Sequence, residues 1–484
     1  MLVLFYILIL PLLAGGLFFI PGNKKLKYQM SLLVSVIHLA ASYMIFTGFA
    51  QPVVSQWFRI DAFSKLFLLI LSHVYFWVVL NSWHFINQPD LYSPEKSRKI
   101  FFSMMNLYLF ANTLALISNH LGLYWVALES TTLTVAPLIY YYRNKESLEA
   151  MWKYLFLISV GIAFAFIGIL FLALSAHGTD IFEKGLFLSD LIEGSSRLNM
   201  VWLKAGFIFI FAGLSTKAGI APMHPGEVDA LSNSPSPVAA LVSASLSGTA
   251  LIGIFRLMQI TAGTPVHQFA QVLMITGGVV SLLVALVFMF RVTNYKRMIA
   301  YSSVEHIGLI VLGAGIGGAA LIGSMLHMIY NSLNKTAMFL MAGNVHRRYK
   351  SRESGDVRGV LKNMKWTGIL FMTAFLAVIA MPPFGLFFSE LMIFRGLVEQ
   401  ERFILLGVVL FVLLFIFIGM SRQTFAILYG KSERESEGIE EVNEKFNITH
   451  FTALALLVLL AAAGLFMPDT VTGVINQIAG ELNR

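Results

Sequence analysis

The sequence contains no cysteine. Disulfides, thiolate-ligated iron–sulfur clusters and thiol catalysis are therefore excluded from this chain. Charge is scarce as well: Asp, Glu, Lys and Arg make up 12% of 484 residues, against 57% hydrophobic ones and a mean hydropathy of +0.76. Soluble domains carry about 45–50% apolar residues, so this is the composition of a polytopic membrane protein. The longest hydrophilic stretches, 176–200, 345–365 and 431–447, are too short for a packed core. Neither HExxH nor a Cys/His ligand pattern occurs, and GAGIGG (313–318) has no strand ahead of it, so no metal, nucleotide or other cofactor is expected. A net charge of +8 would suit nucleic acid in a soluble chain. In so apolar a sequence the basic residues are better explained as topological signals in cytoplasmic loops, and nucleic-acid binding is not expected.

What is abundant is hydrophobic runs. About 20 apolar residues cross a bilayer, which gives about fourteen spans, near 2–20, 28–48, 62–82, 101–118, 121–141, 151–175, 201–221, 236–259, 267–290, 297–316, 319–344, 366–394, 403–428 and 449–467. The first, MLVLFYILILPLLAGGLFFI, has no basic leader region and reads as a span instead of a cleaved signal. Loops after odd-numbered spans hold Lys24, Lys25, Lys27, Lys96, Arg98, Lys99, Arg143, Lys145, Lys296, Arg297 and a basic cluster from Arg347 to Lys365; the opposite loops offer little beyond Arg59, Lys184, Arg197 and Arg402. The positive-inside rule makes the first set cytoplasmic and places both termini outside the cytoplasm, in a cell (inner) membrane. The acidic segment 431–445 then falls on the cytoplasmic side as a solvated loop or partner contact.

Two spans are broken. FAGLSTKAGIAPMHPGEVDALSNSPSP (211–237) leads apolar and small residues up to Lys217 and then places Gly219, Pro222, Pro225 and Gly226 in quick succession. Proline removes an amide donor and collides with the preceding turn, so the helix must come apart there. AVIAMPPFGLFFSELMIF (377–394) does the same with Pro382, Pro383 and Gly385, and Glu390 follows. Interrupted spans at corresponding places in two halves point to the ion site of repeat-built transporters. The broken spans are the seventh and twelfth. This predicts an all-α membrane fold with two inverted five-helix repeats, 101–260 and 261–430, preceded by a three-helix segment (1–100) and followed by the acidic loop and a final helix (431–484).

Ionisable residues form a series through the spans: Glu129 in the fifth, Lys217 in the seventh, Glu305 and His306 in the tenth, His327 and Lys335 in the eleventh, Glu390 in the twelfth. A charged side chain at bilayer depth costs about 2.5–3.5 kcal/mol on insertion scales, so each is a functional candidate. Carboxylates, amines and imidazoles in alternation suit a proton relay. Plainer roles compete. A lone Glu or Lys can be a structural ion pair, His38 and His73 read as hydrogen-bonded packing residues, and Lys153, Lys204 and Arg256 near span ends read as snorkelling side chains.

Over about 101–430 the residues resemble a known family, the antiporter-like subunits shared by respiratory complex I, Mrp-type cation/proton antiporters and membrane-bound energy-converting hydrogenases. The resemblance rests on YWVALES, KAGIAPMHPGEVDALSNSPSPVAAL, NYKRMIAYSSVEHIGLI, HMIYNSLNKTAMFLMAGNV and MPPFGLFFSELMIF, and looks most like component F of hydrogenase-4 and formate-hydrogenlyase complexes. It implies that Glu129 and Lys217 form an input pair, that His327 and Lys335 are a central relay, that Glu390 is the terminal acid, and that Glu305 and His306 are the SSVEH motif of the hydrogenase-type branch. His224 and Asp229, in the broken seventh span, are secondary candidates, as is Glu305. Three departures stand out: Leu231 replaces a second histidine, Gly248 stands where several branches have a bridging lysine, and Asn331 replaces a histidine. Water or His306 would then have to fill the step from Lys217 to Lys335.

The expected function is proton translocation, alone or in exchange for sodium. The chain would act as one membrane subunit of a redox-driven complex, with other membrane subunits and, through them, a peripheral redox arm as partners, and with no redox centre of its own. The expected order runs from Glu129 and Lys217 through His306, His327 and Lys335 to Glu390. The alternatives are a non-conducting scaffold that anchors the redox arm, an Mrp-type antiporter subunit, and a stand-alone solute carrier.

Overall fold

The computed structural model describes residues 2–19, 22–49, 55–87, 94–430 and 444–482. The acidic loop expected at 431–445 lies almost wholly outside the described residues. Among the described residues the chain is helical, with three isolated β-bridges and no strand. The principal helices, in chain order, are α1 (Phe5–Leu17), α2 (Lys24–Phe46), α3 (Ala62–Ile86), α4 (Glu95–Ile117), α5 (Leu121–Ile139), α6 (Lys145–Ala176), α7 (Met200–Ala218), α8 (Pro225–Asn233) and α9 (Ser236–Thr261). They continue as α10 (Val266–Arg291), α11 (Tyr295–Ile316), α12 (Gly318–Tyr349), α13 (Lys365–Val378), α14 (Gly385–Glu399), α15 (Phe403–Tyr429), α16 (Ile448–Leu465) and α17 (Asp469–Leu482).

Ten helices among the described residues are long and apolar enough to cross a membrane. Reaching the expected fourteen requires adding α1, α5, α12 and the broken pair α13–α14, which are shorter or more polar. The polarity of α12 has a clear cause. It carries His327, Asn331, Asn334 and Lys335, all buried against protein instead of facing lipid. Helices α9 and α11 are buried along their full apolar windows, whereas α6, α10 and α15 are buried over less than half of theirs. The ionisable residues therefore sit on or beside the innermost helices. Close packing of α6 on α7 depends on small residues: a Cβ at Gly213 would lie 2.5 Å from the Ala165 amide nitrogen and the Gly161 carbonyl.

The two helix breaks share one backbone register. In the first, Gly219 is left-handed, the Ile220 amide bonds back to the Ser215 carbonyl at 3.0 Å, and the Met223 amide bonds to the Ile220 carbonyl at 2.9 Å. In the second, Ala380 is left-handed, Met381 bonds to Leu376 at 3.0 Å, and Phe384 bonds to Met381 at 3.1 Å. Gly219 thus matches Ala380, and counting onward Asp229 matches Glu390. In the first break the freed Ala221 amide donates to Ser281 Oγ of α10 at 2.9 Å, so this interruption is covered by protein, as irregular backbone in a membrane must be.

Three sequence expectations change. Arg256 does not snorkel: it is buried and paired with Asp61 at the start of α3. Lys296 is not a loop residue but lies in the first turn of α11, buried, donating to the Ser234 carbonyl at 2.6 Å. The chain after α16 forms a further helix, α17, whose Ile475, Ile478 and Leu482 are buried against the bundle. The packing role expected for His38 and His73 holds. His38 bonds Ser72 and Thr113, and His73 bonds Tyr43 and the Leu69 carbonyl.

Candidate functional site

Lys217 is the penultimate residue of α7 and is 2% exposed. Its Nζ donates to the Leu128 carbonyl at 2.5 Å and to Thr132 Oγ1 at 2.7 Å, both on α5. It makes no ion pair with Glu129, although the Glu129 charge acts on it. Glu129 instead turns toward α6, where Oε1 accepts from Ser159 Oγ at 2.7 Å, while Oε2 is buried without a protein partner. The expected input pair is therefore adjacent but open. Glu129 is half-buried beside a flank on which Val126, Leu133 and Phe156 are exposed.

Lys335, fully buried on α12, donates to the Ile299 carbonyl at 3.2 Å and to Ser302 Oγ, both on α11. The carboxylates that act on it are Glu305 of α11 and Glu227 of α8. Glu227 is a residue the sequence reading left without a role. It lies in the first turn of α8, buried, and accepts from Ser247 Oγ at 2.7 Å. Its Oε2 occupies the space a Cβ at Gly219 would need, 2.0 Å away. A carboxylate inside an apolar break, ten residues after a lysine, was the available signal, but the helical periodicity of so short a segment does not say which way it faces.

The departure at Gly248 now has a physical reading. A Cβ there would meet Met328 and Phe67 at 3.1–3.3 Å, so the place of the bridging lysine is packed by apolar side chains. One residue aside, Ser247 donates to Glu227. The charges of Glu227 and Glu305 both act on Lys335, whereas the expected order places Lys335 after the histidines. Near it, Asn331 Oδ1 and both side-chain polar atoms of Asn334 are buried without protein partners. Leu231, in place of the second histidine, is simply buried in the core.

The far end is a compact cluster. His306 Nδ1 and His327 Nε2 lie 2.9 Å apart, and His327 Nδ1 lies 2.9 Å from Ser389 Oγ. Ser389 gives its own proton to the Leu386 carbonyl, so it accepts from His327 Nδ1–H. That leaves His327 Nε2 to accept from His306 Nδ1–H, and His306 Nε2 as a bare nitrogen, buried and unpartnered. Ligand atoms of His306, His327 and Glu390 all lie within 4.8 Å of one another. Glu390 is half-buried and has no ion-pair partner among the described residues, while the Glu305 charge acts on it.

Of the three secondary candidates, Glu305 lies beside Lys335 and Glu390, and the other two fall apart from these groups. Asp229 is ion-paired with Arg297 at 3.0 Å and with Lys153 at 3.5 Å, tying α8 to α11 and α6. His224 is buried against Phe288 and Tyr301, with Nδ1 unpartnered.

Comparison with known proteins agrees with this architecture. Residues 118–419 match the family described as NADH:quinone oxidoreductase/Mrp antiporter, TM. A hydrogenase-4 component F homolog of Methylacidiphilum infernorum is 30% identical over 457 residues, 93% of each chain. An NADH-quinone oxidoreductase subunit N of Hydrogenovibrio crunogenus is 25% identical over 447 residues, 90% of each. In fold, the chain is similar to one in an archaeal membrane-bound sulfane sulfur reductase, with a TM-score of 0.86 at 20% identity, covering 100% of this chain and 98% of that one. It is also similar to one in the Mrp complex of Dietzia sp. DQ12-45-1b, with a TM-score of 0.83 at 18% identity, covering 99% and 96%. The chain therefore belongs to the NADH:quinone oxidoreductase/Mrp antiporter transmembrane family, as an antiporter-like membrane subunit.

Proposed function

We propose that this subunit moves protons along the membrane plane from Glu129 through Lys217, Glu227, Lys335 and Glu305 to the His306–His327 pair and Glu390. The supporting observation is the series of buried and half-buried ionisable groups on α5, α7, α8, α12, α11 and α14, in which the Glu129 charge acts on Lys217 and the Glu227 and Glu305 charges act on Lys335. Such groups are costly in a bilayer unless they act on one another. The proton is the ion that suits the far end, since two imidazoles joined nitrogen to nitrogen can exchange a proton but cannot hold a sodium ion, which needs several oxygens. The subunit works in the cell membrane beside other membrane subunits and is driven by a peripheral redox arm, with its basic loops cytoplasmic and both termini outside. Residues 101–260 and 261–430 act as paired five-helix units, a division favoured by the common register of the two breaks, with 1–100 and 431–484 flanking them.

In this mechanism a neighbouring subunit docks against the exposed flank of α5 and α6 and shifts Glu129 relative to Lys217. Lys217, tethered only by a carbonyl and a hydroxyl, then gains or loses its proton, and the change passes to Lys335 through Glu227. In this reading cytoplasmic protons enter by a cavity of about 630 Å³ lined by Arg143, Asn233, His346 and Arg352, between the turn after α5 and the ends of α8 and α12. The competing reading is a non-conducting scaffold, and the apolar packing around Gly248 favours it. Proton uptake by proteoliposomes carrying the whole complex separates the two. Lys217→Ala and Glu129→Ala should each abolish coupled transport while the complex still assembles, and normal pumping by both variants overturns the relay. The same vesicles loaded with labelled sodium report any exchange.

A further inference from the structure

We infer that His306, His327 and Glu390 form a binding site for a divalent metal ion of the zinc class, and that an ion bound there blocks the subunit. Two imidazoles and one carboxylate are a complete three-ligand set for zinc with a position left open. The three come from α11, α12 and α14, and their ligand atoms lie within 4.8 Å of one another. Zinc bonds of about 2.0–2.2 Å place tetrahedral ligands about 3.3–3.6 Å apart. Small rotations of the two rings, now 2.9 Å apart, and of the carboxylate reach that spacing.

The surroundings are built as for a metal-binding histidine. His327 donates its Nδ1–H to Ser389 Oγ, which is anchored on the Leu386 carbonyl. This chain fixes the tautomer that offers Nε2, the arrangement that orients histidine ligands in metal sites. His306 can free its Nδ1 by carrying its proton on Nε2, the buried nitrogen without a partner. Access is from Glu390, the half-buried member, since both histidines are 0% exposed. An ion held there removes the N–H that links the two rings and occupies the Glu390 carboxylate. For its effect on transport, though not for binding, the inference rests on the relay proposed above.

The test uses the intact complex, with Co²⁺ as spectroscopic probe and Zn²⁺ as competitor. The expected result is a set of tetrahedral Co²⁺ bands that Zn²⁺ abolishes, with one Zn²⁺ bound per chain at this site by calorimetry. His327→Gln and Glu390→Gln should each weaken binding at least about tenfold, while His267→Gln, at the start of α10, leaves it unchanged. Absence of saturable binding, or variants that bind as the parent does, overturns the site. In proteoliposomes Zn²⁺ should inhibit proton transport by the parent complex. Binding without inhibition upholds the site and overturns the relay reading.

Discussion

Asp229 and Glu390 follow their respective helix breaks at the same distance, yet Asp229 is clamped by Arg297 and Lys153 whereas Glu390 meets His306, His327 and, at longer range, Glu305. The lysine before the first break has no counterpart before the second, where Val378 stands. One backbone device has thus been given two uses. In the first break the carboxylate after the interruption is an anchor between helices, and in the proposed relay the mobile charge is on Lys217 and Glu227. In the second, the carboxylate after the interruption has no ion-pair partner among the described residues, and in the proposed relay it is the group that exchanges. Backbone likeness between repeats does not carry residue roles across. The partners on neighbouring helices do.

Substitutions at matched places should break this contrast or sharpen it. The largest effect is expected from Glu390→Gln, about a hundredfold loss of proton transport in proteoliposomes, the scale of removing a proton-transfer group, with assembly unchanged. Glu227→Gln should cost at least about tenfold by the same assay, because it removes the carboxylate that stands in for the bridging lysine; an unaffected rate would show that the first break does not feed Lys335 through α8. Gly219→Ala should lower stability by about 1–3 kcal/mol in denaturant titrations, since the added methyl collides with Glu227 at a left-handed residue, and should slow transport several-fold by displacing that carboxylate. Asp229→Asn should be the mildest, below about 1 kcal/mol in stability and within about twofold in transport, because its cationic partners are half exposed. If Asp229→Asn instead matches Glu390→Gln, the two breaks are functionally equivalent and the distinction fails.

Much of this was legible along the chain. Pro222, Pro225, Pro382 and Pro383 announce the breaks because clustered prolines beside glycine remove amide donors and clash with the preceding turn, and Glu129, Lys217, Lys335 and Glu390 stand out because charge in an apolar run is costly. The meeting of Lys335 with Glu227 was not legible, nor the apolar packing at Gly248, since each depends on how α8, α9 and α12 rotate against one another. Arg256 shows the same limit from the other side: its place near a span end suggests snorkelling, and only the fold reveals Asp61, far away in sequence, as its buried partner.

By itself the sequence determined the solvent, the helical state of the chain, the sites of interruption and the inventory of titratable groups, because each follows from local chemistry in hydrocarbon or from the missing amide of proline. The tertiary structure decided which groups face one another, and so which carboxylate is ion-paired and which is not. His306, His327 and Glu390 are separated by long stretches of helix, and no periodicity relates them. Only the packing of three helices brings their ligand atoms together.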